Sequence, residues 1–68
     1  MEGLTREAIS TLAAGDDLSG EETAAVAEEI MSGGATPPQI ASLITALRLR
    51  GETVEQIVAF ARVMRSKA

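Results

Sequence analysis

A chain of 68 residues has room for one domain, and because it contains neither Cys nor His, disulfides and Cys/His zinc sites are excluded. Hydrophobic residues make up 46% of the sequence but aromatic residues only 1%, so the β-branched and aromatic runs typical of strands are missing. The net charge of −4 disfavours general binding of nucleic acid, and no apolar run is long enough for a membrane span. With no signal peptide at Met1, we expect a cytoplasmic protein whose partners are neither nucleic acids nor membranes.

Helix-start patterns occur at three points along the chain. Ser19, Thr36 and Thr53 each precede a Glu or Gln by three residues, which is the spacing of a capping box. In such a box the hydroxyl accepts a backbone N–H of the first turn, and the Glu or Gln side chain accepts the N–H of the capping residue. Pro37 adds a residue that is favoured at the first position of a helix. These patterns predict that helices begin near residues 20, 37 and 54.

Glycines mark where the helices end. Gly15, the Gly33-Gly34 pair and Gly51 each follow a helical segment, and glycine adopts a left-handed conformation just past a helix end without a Cβ clash. Arg48 and Arg50 lie in a last turn, where cations interact favourably with the helix dipole. We therefore predict an all-α fold, a compact bundle of four short helices in a single domain spanning 1–68, with helices near 4–14, 20–32, 37–50 and 54–66.

Each predicted helix has an apolar face that we assign to the core. Spacings of three and four residues place one stripe on each helix. The stripes of the first two helices are Leu4, Ala8, Ile9 and Leu12, then Val26, Ala27, Ile30 and Met31. Those of the third and fourth helices are Ile40, Leu43, Ile44 and Leu47, then Val54, Ile57, Phe60, Ala61 and Met64, with Val63 off the edge.

The opposite side of the third helix carries Ser42, Ala46 and Leu49. Small residues let another helix approach closely, so this side is either ordinary surface or a docking face for a second subunit or domain. A chain of this length has a marginal core and gains from burying further apolar surface. We predict self-association through an interface that includes Leu4, Ala8, Ser42, Ala46 and Leu49.

The charges are unevenly distributed along the chain. Residues 1–34 contain eight acidic residues and one Arg, whereas residues 35–68 contain five basic and two acidic residues. We expect the two halves to attract each other within one fold. The alternative is a basic face that binds an anion or nucleic acid, which requires Arg48, Arg50, Arg62 and Arg65 to lie together and binding to weaken steeply with salt.

Few residues in this sequence could perform catalysis. No His, Cys or Tyr is present to act as a base or nucleophile near neutral pH. The pairs Asp16-Asp17, Glu21-Glu22 and Glu28-Glu29 are adjacent in sequence, so their side chains diverge on a helix and we interpret them as solvated acidic surface. Gly33-Gly34 lacks the spacing of a phosphate-binding loop. We predict no catalytic, cofactor-binding or metal-binding residue in this chain.

An ordered series of motifs spans nearly the whole chain. It reads DLSGEE from Asp17, IMSGGATPPQI from Ile30, ALRLRGET from Ala46 and ARVMR from Ala61. The series resembles the N-terminal helical domain of anthranilate phosphoribosyltransferases, the glycosyl transferase family 3 helical domain, whose type pyrimidine nucleoside phosphorylases share. The nucleoside phosphorylases usually read differently around ATPPQI and ALRLRGET, so the resemblance favours the anthranilate enzymes.

The resemblance implies a parent enzyme that transfers a phosphoribosyl group from phosphoribosyl pyrophosphate to anthranilate, with magnesium, in tryptophan biosynthesis. In that family the phosphate loop and the metal-binding carboxylates lie in a larger α/β domain, so no catalytic residue is carried over to this chain. The isolated chain is therefore not expected to be an enzyme. The family's helical domain forms much of the dimer interface and moves as the cleft closes, which implies a homodimer and contact with the α/β domain.

The family's chains continue past the position of Lys67-Ala68 toward the catalytic domain. We expect this chain to be the N-terminal part of a larger two-domain enzyme. The alternative is a short natural protein that acts as a stand-alone helical interaction module. A glycine-rich phosphate loop further along the source gene would distinguish the two.

Overall fold

The computed structural model describes residues 3–67, and within that range the chain forms four helices and no strand. The helices are α1 (Leu4–Ala13), α2 (Gly20–Met31), α3 (Pro37–Arg50) and α4 (Val54–Lys67). Each helix begins and ends within one residue of its predicted position. The predicted all-α fold is therefore confirmed.

Helix starts and ends follow the predicted local chemistry. At the start of α2, Ser19 Oγ accepts the Glu22 N–H at 3.0 Å while Glu22 Oε1 accepts the Ser19 N–H at 2.9 Å. The boxes at the starts of α3 and α4 have the same reciprocal geometry, with nitrogen–oxygen distances of 3.0 to 3.3 Å. After the first three helices, Gly15, Gly33 and Gly51 have φ of 93, 84 and 87°, the region that only glycine adopts freely.

Contacts at the helix ends give the direction of each helix. The first turn of α1 is hydrogen-bonded to Glu29 in the last turn of α2, so these two helices are antiparallel. Gly20 at the start of α2 lies against Glu55 at the start of α4, and Glu28 pairs with Lys67 at the other ends. Helices α2 and α4 therefore run in the same direction, and they form the most extensive helix pair. Helix α3 packs mainly against α1 and makes few contacts with α4.

Aliphatic residues from α1, α2, α3 and the loop before α2 form the core: Ala8, Leu12, Leu18, Val26, Leu43 and Leu47. Polar residues are also buried, and each has a partner. Thr23 is fully buried and donates its hydroxyl hydrogen to the Ser19 carbonyl at 2.8 Å. Within residues 3–67, no buried side-chain nitrogen or oxygen lacks a hydrogen bond, as expected of a well-packed native core.

The core face predicted for α4 is wrong except at Phe60, which is partly buried and packs against the core. Gln56 and Val63 are the buried residues of this helix, at 2% and 9% exposed. Gln56 is tolerated in the core because its Nε2 donates to the Leu18 carbonyl at 3.2 Å while its Oε1 accepts the Thr53 N–H. Because Gln56 and Val63 face the core, most of the aliphatic stripe of α4 faces solvent. The stripe members that are exposed are Val54, Ile57, Ala61 and Met64.

Two further residues assigned to the core are also exposed. Met31 on α2 and Ile44 on α3 are 44% and 52% exposed, because they line an open groove between α2, α3 and α4. Leu43 and Leu47, on the same predicted stripe as Ile44, are buried at 1% and 6%. The prediction for α3 is therefore right for one edge of the stripe and wrong for the other.

Candidate functional site

Several carboxylates of this chain have structural roles. Glu22 closes the capping box of α2, Asp17 and Glu28 form ion pairs, and Glu29 is buried. In the part of the chain that the structure describes, no group of three or more acidic, His or Cys residues is placed to hold a metal ion. The candidate functional features of the described residues are therefore their apolar surfaces.

Glu29 is the residue that sequence reasoning placed wrongly among solvated acids. Its side chain is 7% exposed and caps α1, whose own N-cap residue, Gly3, has no side chain to do so. Glu29 Oε1 accepts the Thr5 hydroxyl at 2.7 Å and the Thr5 N–H at 2.8 Å, and Oε2 accepts the Leu4 N–H at 3.1 Å. The Thr5 hydroxyl, and next its N–H, hold the pKa of Glu29 below its usual value, against the opposing effect of burial.

The uneven charge distribution is used partly within the fold. Arg50 donates to Asp17 Oδ1 through Nε at 3.3 Å and Nη2 at 3.0 Å, which joins the end of α3 to the loop after α1. Lys67 lies 3.4 Å from Glu28 and joins the ends of α4 and α2. Both pairs link the acidic half to the basic half, as predicted. Because all four side chains are at least one third exposed, each pair contributes little to stability.

The structure brings three of the five predicted interface residues together. Ser42, Ala46 and Leu49 line a shallow surface between α1 and α3, which we call the α1–α3 patch; its other residues are Leu12, Ala13, Ala41, Thr45 and Arg50. Leu49 is 84% exposed, the largest exposure among the large hydrophobic residues that the structure describes. Leu4 lies outside this patch and is half-buried. Ala8 is a core residue at 3% exposed, so its side chain offers almost no surface to another chain.

A second apolar surface was missed because its residues were assigned to the core. A groove of about 360 Å³ lies between α2, α3 and α4, and we call it the α3–α4 groove. Its walls include Met31, Ile44, Phe60 and Met64, and its charged residues are Arg48 and Glu52 near the end of α3. The sequence did contain a signal: α4 has more aliphatic residues than one helical face can hold, since Val54, Ile57, Ala61 and Met64 lie opposite Gln56 and Val63.

None of the helices within residues 3–67 combines the length and the apolar character needed to cross a membrane.

A model of the glycosyl transferase family helical bundle domain matches residues 6–68. The chain belongs to this family. The match covers all four helices of the domain apart from the first two residues of α1. It includes both apolar surfaces described above.

The helical bundle domain is similar to parts of several anthranilate phosphoribosyltransferases, which confirms the resemblance carried by the motifs. The enzyme from Pelotomaculum thermopropionicum is 57% identical over 65 residues, or 96% of the chain. The enzyme from Desulfotalea psychrophila is 59% identical over 63 residues, or 93% of the chain. The domain spans only 19% and 18% of the lengths of these relatives. No solved structure gives a significant match.

Proposed function

We propose that this chain is the N-terminal helical domain of an anthranilate phosphoribosyltransferase. One observation carries the proposal: identity of 57% and 59% to two proteins of that name over more than nine tenths of the chain. In such an enzyme, phosphoribosyl pyrophosphate, anthranilate and magnesium would be bound by the α/β domain. This chain would supply packing surfaces, since Glu22 and Glu29 serve as caps and Asp17 is ion-paired.

The proposed role of the domain is to form the enzyme's dimer and to move as the cleft closes. The α1–α3 patch supports the first part, since Leu49 is 84% exposed beside the small residues Ser42 and Ala46. A large aliphatic side chain in this position gains about 1.5 to 3 kcal/mol when it is fully buried by a partner. On this proposal the enzyme is a cytoplasmic homodimer of the tryptophan pathway.

The function is tested in a chimera. The 65 matching residues of the Pelotomaculum enzyme are replaced by this chain, and the gene is introduced into a bacterium that lacks the transferase. We expect growth without tryptophan, whereas the isolated chain has no transferase activity and does not restore growth. A folded chimera that fails to restore growth, while the unmodified Pelotomaculum enzyme succeeds, would contradict the proposal.

The dimer role is tested separately by sedimentation of the isolated chain and of the chimera. We expect Leu49→Glu to weaken self-association by about tenfold or more, because a buried carboxylate without a partner is strongly disfavoured. Ile44→Glu is the matched control, since it makes the same kind of change on the opposite side of α3. A chain that is monomeric at every concentration, and is unaffected by Leu49→Glu, would remove the dimer role from the proposal.

The size of the native protein tests the assignment to a larger enzyme. An antibody raised against this chain should detect, in a lysate of the source organism, a protein several times heavier than 7.1 kDa. A band at 7.1 kDa would instead favour a stand-alone helical interaction module.

A further inference from the structure

The α1–α3 patch carries a single charge. Among the described residues that line it, Arg50 alone is charged, and the others are aliphatic residues together with Ser42 and Thr45. Arg50 follows Leu49 in the last turn of α3, and 33% of its side-chain surface is exposed. A partner that covers the patch therefore also covers part of a guanidinium group, which keeps its charge at any ordinary pH.

The symmetry of a dimer makes this charge unfavourable. In an isologous dimer the same patch lies on both sides of the interface, so two Arg50 side chains enter it together. The described residues of the patch offer no acidic group to either of them. Like charges that meet in an interface disfavour association, and a charge that is covered without a partner does so more strongly. Self-association through the patch therefore requires a negative charge from outside it.

Asp17 supplies such a charge from the loop between α1 and α2. Its Oδ1 accepts the Arg50 Nε–H at 3.3 Å and an Nη2–H at 3.0 Å, yet Asp17 does not itself line the patch. The two side chains are 33 and 53% exposed, so the pair contributes little to the stability of the fold. The main effect of Asp17 is therefore on the charge of the surface that Arg50 shares with Leu49.

Resting on the dimer role in the proposed function, we infer that Asp17 is a positioning residue for self-association. It neutralises Arg50 within the same copy and holds the guanidinium toward the α1–α2 loop, so that a second copy can cover the apolar part of the patch. Leu49 and its small neighbours make the contact with the partner, and Asp17 acts on that contact through Arg50. An acid of the second copy is not needed to neutralise Arg50.

Sedimentation of the isolated chain tests the inference with a matched pair of substitutions. Asp17→Asn removes the acid that is bonded to Arg50. Asp16→Asn changes the net charge equally, one residue earlier, at a side chain that makes neither of these bonds. We expect Asp17→Asn to raise the dissociation constant about three- to tenfold at low salt, because two charged Arg50 side chains then meet, and Asp16→Asn to leave it nearly unchanged.

Salt and a second substitution separate this role from a purely structural one. Raising NaCl from about 20 mM to about 500 mM screens the repulsion between charges, so the Asp17→Asn chain should recover most of its lost association. Arg50→Gln, added to Asp17→Asn, should restore association at low salt because it removes the charge itself. The association of the original chain should change little with salt, since its ion pair lies within each copy.

An unchanged dissociation constant for Asp17→Asn, in a chain that Leu49→Glu does dissociate, would overturn the inference. A loss of association that neither salt nor Arg50→Gln restores would also overturn it, because Asp17 would then have a structural role. So would association of the original chain that weakens steeply with salt, which would place the ion pair between copies. If Leu49→Glu has no effect, the dimer role itself fails and the inference falls with it, whereas growth of the chimera without tryptophan tests the assignment to the enzyme separately.

Discussion

Replacing Gln56 with Glu exchanges the amide NH2 group for a carboxylate oxygen inside the core, and the structure predicts the resulting loss of stability. Gln56 is 2% exposed, and its Nε2 donates to the Leu18 carbonyl at 3.2 Å. In Gln56→Glu a carboxylate oxygen faces that carbonyl, so the hydrogen bond is lost at about 1 to 3 kcal/mol. The new side chain still accepts the Thr53 N–H, and its negative charge interacts favourably with the helix dipole at the start of α4, which stabilises the fold by about 0.3 to 1 kcal/mol.

The net loss for Gln56→Glu at pH 7 is about 1.5 kcal/mol, which corresponds to a decrease in Tm of about 6 to 12 °C for a domain of this size. A domain of 68 residues has a total stability of about 3 to 10 kcal/mol, so the change is easily measured by circular dichroism during heating. The deficit should shrink at pH 4. Burial raises the pKa of the new carboxyl group, and its protonated form can donate to the Leu18 carbonyl again.

Gln39→Glu is the matched control. Gln39 caps α3 through the same reciprocal bonds with Thr36, but it is half-buried and makes no other side-chain bond. The same substitution there should leave Tm unchanged or raise it slightly, because Glu suits the third position of a capping box. If Gln56→Glu and Gln39→Glu were equally stable at pH 7, the role assigned to the bond between Gln56 and Leu18 would be refuted.

Three further predictions concern the core and the cap of α1. The folded pKa of Glu29 is lowered from about 4.5, so its contribution to stability is complete above that pH and is lost as the pH falls through the folded value. Urea unfolding between pH 7 and 3 should therefore show a smaller acid-induced loss for Glu29→Gln, and an unchanged pH profile would contradict this. Gly34→Ala should cost about 1 to 3 kcal/mol because the new Cβ would lie 2.8 Å from Glu29 Cγ; Gly20→Ala, which meets only an exposed side chain, should be nearly neutral in the same urea titration. Leu43 is 1% exposed, so Leu43→Ala should lower the free energy of unfolding by about 2 to 5 kcal/mol. A urea midpoint equal to that of the original chain would disprove the place of Leu43 in the core.

Local chemistry made the helices predictable from the sequence. Ser19, Thr36 and Thr53 each act within four residues of chain, so the spacing alone located the starts of α2, α3 and α4. Gly33 and Gly51 end α2 and α3 through an equally local effect, a backbone conformation that other residues adopt with difficulty.

Tertiary contacts were not predictable in the same way. Glu29 meets Thr5 across 24 residues, and Gln56 meets Leu18 across 38, so neither burial has a signature in the neighbouring sequence. The periodicity of α4 identified an apolar face correctly but could not tell whether the domain itself buries it. The patch at Ser42 and Leu49 was predictable because these residues lie on the side of α3 opposite its apolar stripe, and the structure places them on the surface.

The cap that Glu29 provides has a consequence for the order of folding during synthesis. Helix α1 has 10 residues and no capping side chain of its own, and an isolated helix of that length is marginal in water. Its cap becomes available only after a further stretch of chain, ending at Glu29, has left the ribosome. Helix α2 carries its own cap at Ser19, so the start of α2 needs no other helix to satisfy it. Helix α1 can therefore complete its cap only after α2, which follows it in the chain, is available to pack against it.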